Sequence, residues 1–242
     1  MAGNLFAADI ARARVIELPA ATTCTPSRFP IIVRQGAFNA AEYNHDSVAP
    51  GEIVDIFGTL VGPGKLAGGS VGADGKLGTK AGGTQVFFDG IAAPVLYASL
   101  QTAAIVPFGV AGQYSSSVRV SVNGFMSDTG CELLTATPAY FTQNASGSGQ
   151  GSILNQDYSI NSAAHPAKKG SVVMVYMTGL GLINPLVPDG AITGPVSHQV
   201  QTVTAMINNR PADVPYAGTA PGLVAGANQV NIRIPADAPS AI

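Results

Sequence analysis

Tryptophan is absent from this chain, and charge is scarce: only 11% of its 242 residues are Asp, Glu, Lys or Arg, against about 25% in an average globular protein. The formal net charge is −2 and no basic run occurs. A nucleic-acid partner would need a Lys/Arg patch to neutralise phosphates, so that class is excluded. No apolar stretch approaches the ~18 residues that cross a bilayer as a helix, so no membrane span is expected. The opening MAGNLFAADIARARVIELPAATTC lacks the charged-then-apolar layout of a signal peptide, because Arg12 and Arg14 would sit inside its apolar part. Two readings remain: a cytosolic protein, or a chain that begins after its export signal. The second is the expectation adopted, and it places the protein outside the cell or in the cell envelope.

Cysteine is almost as rare. Cys24 and Cys131 are the only two, and they are either two buried thiols that never meet or one disulfide tying the N-terminal segment to the end of a first domain. Such a bridge would close a loop of roughly 100 residues, worth up to ~4 kcal/mol through chain entropy, and would imply an oxidising compartment. Glu, Lys, Leu and Arg at helical spacing are also scarce, which disfavours long helices. What the chain has is apolar residues (46%), 29 Gly and 17 Pro, the composition of short strands joined by tight turns.

A repeat organises those strands. PGEIVDIFGTLVG, residues 50–62, and KGSVVMVYMTGLG, residues 169–181, share a pattern at an offset of 119, with Gly51 on Gly170, Phe57 on Tyr176 and Gly62 on Gly181. VFFDGIAAPVLYA, residues 86–98, and AMINNRPADVPYA, residues 205–217, keep that offset, which sets Asp89-Gly90 on Asn208-Asn209 and Tyr97 on Tyr216. Both dipeptides can supply the φ > 0 residues of a type I′ hairpin turn. Pro94 and Pro215 remove a ladder N–H, which predicts an edge or bulged return strand. Pro107 then matches Pro235 at an offset of 128, the extra nine residues being the insertion APGLVAGAN. One offset held across two strands and a hairpin, with loop lengths preserved, indicates internal duplication.

The copies end differently. After Pro107 comes SSVRVSVNG, which alternates cleanly and turns at Asn123-Gly124; after Pro235 comes only ADAPSAI. The second copy is thus expected to lack the last hairpin of the first. Three arrangements answer this: the sequence is a piece of a longer protein, a partner strand completes the sheet, or the first 30 residues or another copy fill the gap by swapping.

The runs GSGQGSILNQDYSINSAAHPAKKGSVVMVYMTGLG, VAPGEIVDIFGT and FDGIAAPVLYAS resemble the C-terminal domain of the Solibacter-type paralogous family, large repetitive secreted proteins of Acidobacteria-like bacteria whose function is uncharacterised. The resemblance covers about residues 30–242. It departs from the family at His165-Pro166, where members commonly have Asn-Pro, and in the GAFNAAEYNHDS segment. It implies a pair of immunoglobulin-like β-sandwiches and carries no catalytic residues. The repeat reaches the same all-β class: residues 1–29 an N-terminal extension, 30–139 a first sandwich, 140–152 a Gly/Ser linker with freedom to hinge, and 153–242 a second sandwich without its last hairpin.

Chemistry is thinly signalled. His45, His165 and His198 are dispersed and no Cys-x-x-Cys occurs, so no metal set is indicated; the Asp-Gly pairs lack the further oxygens of a calcium loop and read as turns. GSGQG has no Gly-Lys-Ser/Thr after it and is no phosphate loop. No cofactor is implied. GGSVG, residues 68–72, matches the hydrolase nucleophile elbow with Ser70 as nucleophile, and His198 and Asp189 are its sensible partners, but the elbow needs a strand before it and a helix after it, and a Gly-rich stretch supplies neither. Tyr97 and Tyr216, being repeat-equivalent, suggest a shared structural role. Tyr43, Tyr114 and Tyr158 lie in polar loops and are candidates for surface binding. The expected function is therefore an extracellular structural, adhesive or carbohydrate-binding module, partnered by neighbouring domains, a polymer or another copy. The rivals are an esterase-like serine hydrolase and a subunit assembled by a donor strand.

Overall fold

The computed structural model describes residues 5–9, 14–18, 28–43, 47–134, 136–194 and 196–238. The fold is all-β and of sandwich type, with antiparallel sheets and, among the described residues, no α-helix. β1 (Leu5–Asp9) and β2 (Arg14–Leu18) pair with each other in a separate hairpin.

In the first half, one sheet runs in the order β3 (Ile31–Asn39), β4 (Ile53–Thr59), β9 (Thr102–Ile105), β8 (Val95–Ala98), β5 (Ala67–Gly68). The facing sheet sets β7 (Ile91–Ala93) beside β6 (Thr84–Phe88), then β10 (Ser115–Val122), which also pairs β11 (Phe125–Met126) and β12 (Gly130–Leu133). The core follows from alternation: Val54 and Ile56 on β4 meet Val86 and Phe88 on β6 and Val118 and Val120 on β10, all fully buried. At about 25 cal/mol per Å² of apolar surface, such a layer is the main stabilising contribution.

The predicted turns are present. Asp89 and Gly90 take φ of 49° and 79°, Asn123 and Gly124 take 51° and 86°, and Asn208 and Asn209 take 50° and 59°. Those are the positive angles a type I′ hairpin needs, and Asn, Asp and Gly reach them at least cost. Pro94 stands where the chain leaves one sheet after β7 and joins the other as β8, with a register shift between Val95 and Tyr97. A residue without an N–H suits that crossing, since neither ladder asks it for a donor.

The second half has a seven-stranded sheet. Its order is β13 (Ala139–Tyr140), β15 (Val172–Thr178), β21 (Asn228–Arg233), β20 (Tyr216–Thr219), β17 (His198–Gln199), β16 (Ile183–Asn184), with β14 (Ile153–Leu154) on the same edge of β15 as β13. A two-stranded hairpin, β18 (Ala205–Ile207) and β19 (Arg210–Ala212), stands apart from it. The offset holds in space: β4 and β15 coincide residue for residue at 119, as do β7 and β19, and the neighbour order β4-β9-β8 recurs as β15-β21-β20.

The halves share a core. Ile53, Leu77 and Ile105 of the first pack with Ala220, Ala227 and Tyr176 of the second. The Ile53 N–H donates to Thr178 Oγ1 at 2.8 Å, and the Leu77 N–H to the Gly190 carbonyl at 2.8 Å. β4 is consequently buried on both faces, one against its own sandwich and one against the second half, which explains why its sequence reads as a continuous apolar run rather than an alternation. The Gly/Ser stretch expected to act as a hinge is held in place. Thr142 Oγ1 accepts the N–H groups of Ser146 and Gly147, both at 3.1 Å, and the Tyr43 hydroxyl donates to the Ala145 carbonyl at 3.1 Å. Composition suggests mobility there, but local side-chain turns and a long-range tyrosine fix the backbone.

Candidate binding groove and buried carboxyl groups

Two features stand out from the sheets: an open apolar groove in the second half and a set of enclosed acids in the first.

The groove lies between the seven-stranded sheet and the segment leading into β18. Val175 and Met177 of β15 and Val230 and Ile232 of β21 make its floor, Val203 and Ala205 its roof, and Tyr140 stands at its rim, around a volume of about 440 Å³. Floor residues come from alternate positions on adjacent strands, as a pleated sheet requires. Val175 and Ile232 are the counterparts of Ile56 and Ala104, which are fully buried in the first-half core. No Asp, Glu, Lys, Arg or His is among the described residues lining it; Gln201, Thr202 and Thr204 supply its polar groups.

The acids are Glu52, Asp55 and Glu132, all nearly inaccessible. Glu52 immediately precedes β4 at the junction of the halves, and its Oε2 accepts the Ala49 N–H and the Thr137 hydroxyl, each at 2.6 Å. No described group reaches its Oε1. Burial outweighs those two hydrogen bonds and pushes the carboxyl up to about 8, since an enclosed charge has lost its water. Glu132 accepts the Ala37 N–H at 3.2 Å, and burial raises it to about 7. Asp55 is raised by burial too, against the opposing hydrogen bond from the Tyr97 hydroxyl at 2.9 Å. None of the three lines the groove. An acid within an apolar run, as in EIVDIF, was the one sequence signal that could have disclosed them.

The residues singled out from sequence are dispersed. Ser70 is exposed in the loop after β5, where its carbonyl accepts the Gly78 N–H and a turn, not a helix, follows. Asp189 is half-buried, its Oδ1 accepting the Phe108 N–H at 2.8 Å, and burial raises its carboxyl. His198 lies exposed on β17, its ring edge-on to Tyr216 at 5.4 Å. No hydrogen bond joins any two of these three among the described residues, so the geometry that defines a triad is not assembled. Tyr114 and Tyr158 are 81% and 75% exposed, whereas Tyr43 is half-buried with its hydroxyl engaged. Tyr97 and Tyr216 both spend their hydroxyls within the sheet, Tyr216 on the Thr219 carbonyl at 2.6 Å. Cys24 and His45 lie outside the described residues, and with Cys24 the expected pairing to Cys131. Among the described residues no group of three or more His, Cys, Asp or Glu is placed to hold a metal, and no helix is long and apolar enough to cross a membrane.

No protein family, no curated protein and no solved structure matches this chain.

Proposed function

We propose that the chain is a structural, adhesive or polymer-binding module of a larger secreted protein, acting outside the cell or in its envelope. The observation that carries this reading is the uncharged groove of about 440 Å³ on a body whose halves share one core. A concave apolar surface with few polar groups is the ordinary form of a binding site. Here it is open and, among the described residues, free of ionisable side chains, which suits a neutral, chain-like ligand better than a small charged substrate. The low overall charge and the exposed Tyr114 and Tyr158 support the same use. The resemblance to the Solibacter-type family, with its tandem immunoglobulin-like modules, supports a place in a large surface protein.

The test is retention of the purified chain on insoluble polysaccharides and on protein-coated beads, at low and high salt. Retention is expected to be insensitive to salt, because no charge lines the groove, and to fall in an Ala205→Asp variant. Failure to be retained on every polymer, or retention abolished by salt, would overturn the reading.

A further inference from the structure

The two halves offer an internal comparison that identifies what the groove takes. In the first half, β6 has a neighbour on each side. β7 returns from it through Asp89-Gly90, and β10 runs antiparallel along its other edge with Val118 opposite Phe88, Val120 opposite Val86 and Val122 opposite Thr84. Val118 and Val120 descend between the sheets and reach Ile56 and Ala104, where all four are fully buried.

β18 is the counterpart of β6, with Ile207 standing 119 residues after Phe88 and Ala205 after Val86. Its hairpin partner β19 repeats β7 residue for residue. On the other edge of β18, the position β10 holds in the first half, no strand lies among the described residues. The backbone of that edge is set for pairing. Met206 faces Pro211 across the hairpin, and Pro211 has no N–H to give, so this is a non-hydrogen-bonded pair and the Met206 N–H and C=O point away from β19. Its counterpart Phe87 pairs Arg119 of β10. Beneath the edge, Val175 and Ile232 present the floor that Ile56 and Ala104 present to Val118 and Val120.

We infer that the groove is a docking site for an extended polypeptide strand of a partner protein, one that alternates polar residues with Val or Ile, adds antiparallel to Ala205–Ile207 and seats its branched side chains on Val175 and Ile232. Two observations choose this occupant. The groove continues, in the second half, the inter-sheet interface that a strand of that pattern already fills in the first. Its lining carries no ionisable side chain among the described residues, so the inward positions of the occupant are uncharged. Strand addition of this kind takes affinity from main-chain hydrogen bonds and specificity from alternate side chains. The inference rests on the binding-module reading and names its ligand class.

The probe is a synthetic peptide with the sequence of residues 113–127, QYSSSVRVSVNGFMS, which carries the β10 pattern. The control peptide replaces Val118 and Val120 by Asp. Binding is measured by titration calorimetry with the intact chain, and the site by amide hydrogen exchange. One-to-one binding is expected, with slowed exchange at Thr204 and Met206, whose N–H groups face the free edge, and roughly tenfold weaker binding of the control peptide. Met206→Pro keeps the hairpin, since that N–H does not serve β19, but removes the edge donor; it is expected to weaken binding by a similar factor at an unchanged melting temperature. Ala205→Asp places a charge beneath the edge and should act in the same direction. Equal binding of both peptides would overturn the inference. So would protection of Thr204 and Met206 without peptide, either in a monomer or on self-association. Retention on polysaccharide with no peptide bound would reject the strand while leaving the module reading intact.

Discussion

Replacing Glu52 by Gln should remove that residue's own share of the pH dependence of stability between pH 5 and 8, leaving the share of Glu132, which burial raises to about 7. Glu52 is fully buried, and its carboxyl is raised from 4.5 to about 8, chiefly because burial strips water from the charged form. Below the lower value both folded and unfolded chains hold the proton, and the stability associated with it is fully present. Between the two values the folded chain keeps a proton that the unfolded chain has released, so stability falls as pH rises, by about 1.4 kcal/mol per unit. Over the three units from pH 5 to 8 this comes to roughly 4 kcal/mol, a large share of the 5–15 kcal/mol typical of a domain. Above about 8 the curve flattens. Glutamine keeps the shape and leaves an acceptor for the Ala49 N–H and the Thr137 hydroxyl, while its amide takes the place of the protonated Oε1. The variant should therefore match the native chain within about 1 kcal/mol at pH 5 and exceed it by several at pH 9. Urea unfolding at a series of pH values, followed by circular dichroism or by tyrosine emission in this Trp-free chain, reads the difference. Parallel stability curves for the two proteins would refute the reasoning, because they would mean that Glu52 ionises in the folded state without cost.

Gly179→Ala should destabilise by at least ~2 kcal/mol in the same assay, since Gly179 has φ of +77° and an added Cβ would stand 2.0 Å from the Thr137 carbonyl oxygen. Asn209→Gly should stabilise by about 0.5–1 kcal/mol, read as a higher urea midpoint, because Asn-Gly suits a type I′ turn better than Asn-Asn and Asn209 already sits at φ 59°. Ser70→Ala should leave stability within about 0.5 kcal/mol and any turnover of a short-chain ester unchanged, as Ser70 is exposed and no hydrogen bond joins it to His198 or Asp189.

The contrast between what the chain shows on paper and what it builds tracks the range of the interactions. The three type I′ turns were legible because the angles they need are satisfied within two residues. β4, β6 and β10 were legible because apolar runs and alternation register local contact with a sheet. The groove was foreshadowed by SSVRVSVNG, which has no counterpart after Pro235, yet its floor, roof and free edge required the sheet order. Glu52, Asp55 and Glu132 were legible only as acids beside or within apolar runs, not as buried groups. Their burial depends on partners such as Thr137 and Ala37, some 85 and 95 positions away, and no local pattern carries that distance. The stretch from Tyr140 misled for the complementary reason: its composition is that of a flexible linker, whereas the contacts that fix it come from Thr142 and from Tyr43 across the fold.

β4 lies with both faces covered, and its repeat counterpart β15 does not share its chemistry. Where Glu52 stands before β4 and Asp55 within it, the aligned residues are Ser171 and Met174. The acids thus belong to one copy only, the copy whose outer face the other half covers. A gene duplication delivers two identical strands into two unequal neighbourhoods, and divergence then tailors each to its address. The strands are accordingly no longer interchangeable: the β15 sequence set in the place of β4 and its preceding residue would put a serine and a methionine where Thr137 and Tyr97 look for carboxyl oxygens.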